Sequence, residues 1–104
     1  MTNYLLTYYG TGMPETSDDQ AKVLAAWQAW FGQLGSNLVD GGNPTSQSRA
    51  VSADGSVMDA TSAPTGYSIL KADSLDAAIQ AAKGCPVLID KNAVVVVSET
   101  FATM

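Results

Sequence analysis

Few residues in this 104-residue chain are equipped for chemistry, and histidine is not among them. Its absence removes the commonest general base and the commonest transition-metal ligand. Carboxylates, phenols and one thiol remain. Asp40 is the most suggestive: it follows Leu38-Val39 and precedes Gly41-Gly42, so it ends a short apolar stretch beside glycines that let a ligand approach the backbone. To act as an acid–base group near neutrality, such a carboxylate must be raised from an ordinary pKa of ~3.9 by burial or by a like charge. Tyr8 or Tyr67 would serve as its orienting partner. The same aspartate can instead fix the turn into Asn43-Pro44 by accepting from the backbone N–H groups that follow it. Asn43 carries the same two readings.

Tyr8, Trp27, Asn43 and Tyr67 are the candidates for contact with a ligand. Trp27 and Trp30 lie three apart and share a broad helix face, where stacking on a ligand competes with packing in a core or interface. Tyr4, Tyr8, Tyr9 and Tyr67 fall in strand segments, so their rings belong to the core unless a phenol points into a pocket. Cys85 sits between Gly84 and Pro86. A nucleophilic thiol needs a neighbour that lowers its pKa, and only Lys83 is near in sequence, so Cys85 reads as a buried structural residue. Lys71 and Glu99 lie in or beside strands, either lining a barrel mouth or standing in solvent. Gly41-Gly42 matches no phosphate-loop pattern, and no spacing of ligand residues suggests a metal site or a cofactor.

The charge balance narrows the partners. Ten acidic residues oppose five basic ones, for a net charge of −5, and Arg49 is the only arginine. Binding to nucleic acid or to an anionic membrane surface needs clustered Lys and Arg, so both are disfavoured. No apolar run approaches the ~20 residues of a membrane helix, and no secretory leader pattern opens the chain, which makes a cytoplasmic location the expectation. One cysteine allows no intrachain disulfide. Charged residues are only 14% of the chain against a usual ~25%, a weak hint of an additional buried face such as a subunit contact.

The elements that must position these residues follow from periodicity and punctuation, and they fill a single domain over residues 1–104. Residues 3–9 predict a strand apolar on both faces, hence central and covered on both sides. Gly10, Gly12 and Pro14 break the chain after it. Ser17-Asp18-Asp19-Gln20 predicts a capping box opening a helix, with Val23, Trp27, Trp30, Phe31 and Leu34 as its apolar stripe and Gly35 as its end. Leu38-Val39-Asp40 predicts a short strand. Residues 47–53 and 57–59 flank Asp54-Gly55, a hairpin signal. Residues 66–72 predict a further strand. Ser74 caps a second helix over 75–83, with Gly84 closing it in the left-handed manner and Pro86 preventing continuation. The valine run in 93–98 predicts a last strand buried on both faces. The order β, α, β, hairpin, β, α, β is that of a ferredoxin-like α+β domain with an inserted hairpin, an antiparallel sheet and both helices on one face. Two helices cover one sheet face, so a second copy of the chain is expected on the other.

Several of these stretches, in order, resemble the YCII-related family. They are Trp27, Trp30-Phe31 and Leu34-Gly35; Leu38-Val39-Asp40-Gly41-Gly42-Asn43-Pro44; Asp54-Gly55; Thr65-Gly66-Tyr67-Ser68-Ile69-Leu70; Ala72-Asp73-Ser74-Leu75-Asp76-Ala77-Ala78; and Ala82-Lys83-Gly84-Cys85-Pro86. The resemblance covers nearly the whole chain and implies a ferredoxin-like domain that pairs into a dimeric α/β barrel. Some members carry a histidine–aspartate pair proposed to be catalytic, and this chain has no histidine. A related branch carries Asp-Gly-Pro-Phe, where this chain reads Asp59-Ala60-Thr61-Ser62-Ala63-Pro64. The expectation is a homodimeric small-molecule-binding domain. The alternatives are a cofactor-free enzyme using carboxylate and tyrosine acid–base chemistry, and an accessory subunit that binds another protein.

Overall fold

A computed structural model describes residues 1–10 and 16–102. The first strand, β1 (Thr2–Tyr9), lies in the middle of the main sheet, its backbone paired to a strand along each edge. It pairs antiparallel with β5 (Gly66–Ala72), Leu6 opposite Ser68, and with β6 (Val94–Glu99), Leu6 opposite Val97. The short strand β2 (Leu38–Asp40) joins the far edge of β5 with an irregularity between Leu38 and Asp40, giving the order β2-β5-β1-β6. Strands β3 (Arg49–Val51) and β4 (Val57–Asp59) form a separate two-stranded hairpin. The chain is therefore α+β with an antiparallel main sheet, consistent with a ferredoxin-like arrangement.

The hairpin turn is built as its Asp-Gly pair predicts. Gly55 adopts φ +89°, Ser52 N–H donates to Ser56 O, and Asp54 Oδ1 accepts from both the Ser56 N–H and hydroxyl. Those two bonds hold the exposed Asp54 carboxyl below its ordinary range.

Helix α1 (Ser17–Leu34) begins one residue earlier than the expected box. Thr16 is the cap, its hydroxyl accepting from Asp19 N–H at 3.2 Å and its carbonyl from Gln20 N–H. Thr16 sits in extended backbone, which a cap requires, whereas Ser17 is already helical. Gly12 and Pro14, expected as breakers, lie outside the described residues. Gly35, at φ +55°, ends the helix and donates to Phe31 O. Helix α2 (Leu75–Ala82) has the expected cap, Ser74 Oγ accepting from Ala77 N–H. Gly84 does not take the left-handed conformation expected of it. Its use is space: a Cβ there would stand 3.3 Å from the Trp30 ring.

Both helices pack on one face of the sheet. Register places Tyr4, Leu6, Tyr8, Ser68, Leu70 and Ala72 on that face, and Trp30 of α1 and Ala78 and Ala82 of α2 complete the buried cluster. The Trp30 indole N–H donates to Ala81 O at 3.1 Å and ties α1 to α2. The opposite face, with Leu5, Thr7, Tyr9, Tyr67 and Ile69, is covered by neither helix, and no other element among the described residues lies over it. Its residues on β6, Val94 and Val96, are 54% and 42% exposed. The valine run is therefore not buried on both faces within one chain. It forms an edge strand whose alternate valines face the helices and the open side. The principal extents, 44 × 41 × 20 Å, are those of a slab one sheet and one helix layer thick.

Candidate functional site

A cavity of about 350 Å³ opens where α1 crosses the end of the sheet. Three chain segments wall it against the helix. One is the glycine turn after β2, one is the start of β5, and one is a short 3₁₀ turn, Pro86–Ile89, between α2 and β6. The lining is mostly apolar.

The glycine turn is shaped by two close approaches. Gly42 adopts φ +74°, and a Cβ on it would fall 1.7 Å from Tyr67 O, so no other residue fits without moving β5. Gly41 lies against the Phe31 ring, 3.2 Å from where its Cβ would be. Buried Ser68 donates to Gly41 O at 2.7 Å and locks the turn to the sheet. Asn43 O accepts from Tyr67 N–H, and Thr65 N–H donates to Tyr8 O at 2.6 Å, closing the β5 side.

The helix side is an aromatic cluster centred on Trp27. Its ring lies 5.3 Å from Tyr8 at 61°, 5.7 Å from Trp30 at 74° and 5.6 Å from Phe31 at 52°. Such edge-to-face and tilted contacts add about 0.5–1.5 kcal/mol per pair beyond area burial. Trp30 is buried beneath, while Trp27 and Phe31 are half-buried and present ring surface to the cavity.

Tyr8, Trp27, Asn43 and Tyr67, the four residues expected to contact a ligand, all line this cavity. Asp40 does not. Its carboxylate is exposed and its Oδ1 accepts from Gly42 N–H at 2.8 Å, which is the turn-fixing role. We assign it no acid–base role, since its carboxylate serves the turn and lies outside the cavity wall. Lys71 and Glu99 also lie away from the cavity.

Sequence reading missed Phe31 and Asp90 as wall residues. The signal for Phe31 was its place in the helical stripe, four residues after Trp27. For Asp90 it was Asp90-Lys91-Asn92, a turn in which Asp90 Oδ1 accepts from Asn92 N–H at 2.9 Å.

Two titratable groups stand behind the wall. The Tyr8 hydroxyl is buried beside Ser68 and Cys85 with no hydrogen bond of ordinary geometry, and burial pushes its pKa well above the usual range. Burial likewise pushes the Cys85 thiol up to about 11. Both keep their protons at neutral pH, so neither is a ready nucleophile. Among the described residues no group of three His, Cys, Asp or Glu side chains is placed to hold a metal ion, and no helix is long and apolar enough to cross a membrane. No family model, curated protein or solved structure matches this chain.

Proposed function

We propose that this chain is a small-molecule-binding domain of the YCII-related type that works as a homodimer, two sheets pairing through their open faces. The observation that carries the binding role is the convergence of Tyr8, Trp27, Asn43 and Tyr67 on one mostly apolar cavity of about 350 Å³. That volume lies within the ~300–1,000 Å³ of ordinary ligand pockets. The homodimer is supported by the open sheet face, whose Val94 and Val96 are 54% and 42% exposed, so covering each would add roughly half of the 1.5–3 kcal/mol of a full side-chain burial. A self-complementary two-fold contact covers both copies with one surface.

Tryptophan fluorescence tests the binding role. A small neutral aromatic such as 2-phenylethanol should change the emission saturably, because Trp27 is a wall residue. Leu24 lines the cavity and is 52% exposed, so Leu24→Trp should fold normally and obstruct the cavity. Saturable binding that Leu24→Trp weakens is the expected result. No saturable response, or one indifferent to this substitution, would overturn the assignment.

A further inference from the structure

Two of the three segments that wall the cavity against α1 are also the two roots of one hairpin. Asn43 and Pro44 lead out to β3, and β4 returns through Thr65 and Gly66. The roots are pinned together. Thr45 N–H donates to Thr65 O at 3.0 Å, the Thr45 hydroxyl donates to Pro64 O, and Pro44 bridges Gly66. Thr65 is in turn tied to Tyr8 O of the main sheet. Beyond the roots the pinning stops: no described residue hydrogen-bonds to 46–47 or 61–63. Strands β3 and β4 then pair only with each other, in a sheet of their own.

The hairpin carries apolar side chains in open water. Val51, Val57 and Met58 are 72%, 57% and 45% exposed. Val51 stands opposite Val57, so the two share a face. Arg49 and Asp59 lie on that same face towards the roots and form an ion pair at 3.6 Å. A two-stranded hairpin with nothing over it is marginal in water. Val51 lies seven residues beyond Pro44, and Val57 eight before Thr65. At ~3.3 Å per residue the shorter arm reaches roughly 23 Å, more than the width of the cavity.

We propose that this hairpin is the lid of the cavity. Bending at 46–47 and 61–63, it lays Val51 and Val57 across the mouth and against an apolar part of the bound ligand. This rests on the reading of the cavity as a ligand site. The roots stay in place as walls, and the Arg49–Asp59 pair stays at the wet margin. Ligand and rim together supply the apolar surface that the two valines lack in the open form, and closing removes it from water.

Hydrogen exchange on the wild-type chain tests the lid, with and without saturating 2-phenylethanol and at two protein concentrations. The ligand should slow exchange of the β3 and β4 amides by at least ~5-fold at either concentration. Val51→Ser combined with Val57→Ser changes two exposed side chains. The melting temperature should therefore hold, while 2-phenylethanol should bind at least ~5-fold more weakly. Should the double variant fail to fold, the wild-type exchange decides alone. Hairpin exchange indifferent to a ligand that still changes the tryptophan emission saturably would overturn the lid and leave the binding role intact. Protection that follows protein concentration and not ligand would give the valines to a second copy of the chain, and would overturn the lid as well. Absence of saturable binding would overturn both.

Discussion

The two faces of the main sheet carry similar side chains under different cover. On the helix side, Tyr4, Leu6, Tyr8 and Leu70 are at most 4% exposed. On the other side, Leu5, Thr7, Tyr9 and Ile69 are only half-buried, and Val94 and Val96 stand more than 40% exposed. β1 supplies both faces from one run of eight residues, so composition does not make the difference. What lies above each face does: α1 and α2 on one, no element of the described residues on the other. An apolar strand face thus reports a need for cover without saying which molecule provides it. The cavity belongs to the covered side, at the edge where α1 meets the glycine turn.

The sharpest way to break this comparison is to hollow out the covered side. Leu6 is fully buried at its centre, so Leu6→Ala should cost about 2–5 kcal/mol in urea unfolding. A loss below ~1 kcal/mol would mean that the core is not where the helices meet the sheet.

Gly42→Ala attacks the cavity rim instead of the core. A methyl group meets Tyr67 O and a left-handed backbone is lost, so stability should fall by more than ~1 kcal/mol and 2-phenylethanol binding should weaken with it. Wild-type behaviour in this variant would remove the close approach from the account.

Alkaline pH probes the covered side without a mutation. The Cys85 thiol titrates near 9.0 when unperturbed and at about 11 when folded. The folded state therefore holds the proton more tightly, and this contribution to stability is complete below about 9.0 and is lost as pH rises towards 11. Urea midpoints should decline through that window, and Cys85→Ala should flatten the decline. An unchanged slope in Cys85→Ala would place the titration elsewhere.

The smallest effect belongs to Asp40. Asp40→Asn keeps an oxygen for Gly42 N–H, so stability should change by no more than ~0.5 kcal/mol and ligand affinity should stay as it was. A large loss of affinity with an unchanged melting temperature would restore Asp40 to the site.

Local signals in the sequence were legible where local chemistry decides structure. Residues 66–72 form the predicted strand, Ser74 caps α2, and Asp54-Gly55 turns the hairpin. Tyr8, Trp27, Asn43 and Tyr67 meet at the cavity because each lies beside a break in an element or on an apolar stripe. The readings that failed depend on what lies across space. Four valines in a row look the same in a central strand and in an edge strand awaiting a partner. Gly84 reads as a helix terminator until the Trp30 ring is seen against it. Asp40 and Asp90 are both turn aspartates, bonding the N–H two residues on, yet only Asp90 is in the cavity wall. No local pattern separates them, since the difference is set by where each turn docks against α1.

The open face carries the central claim, that a second copy covers what the chain's own helices leave bare. Light scattering at micromolar concentration, on wild type and on Val96→Asp, tests it most directly. Wild type should show twice the 10.8 kDa chain mass, and Val96→Asp should show the monomer with an unchanged circular dichroism spectrum. A monomeric wild type, or a dimer that tolerates the aspartate, would contradict it.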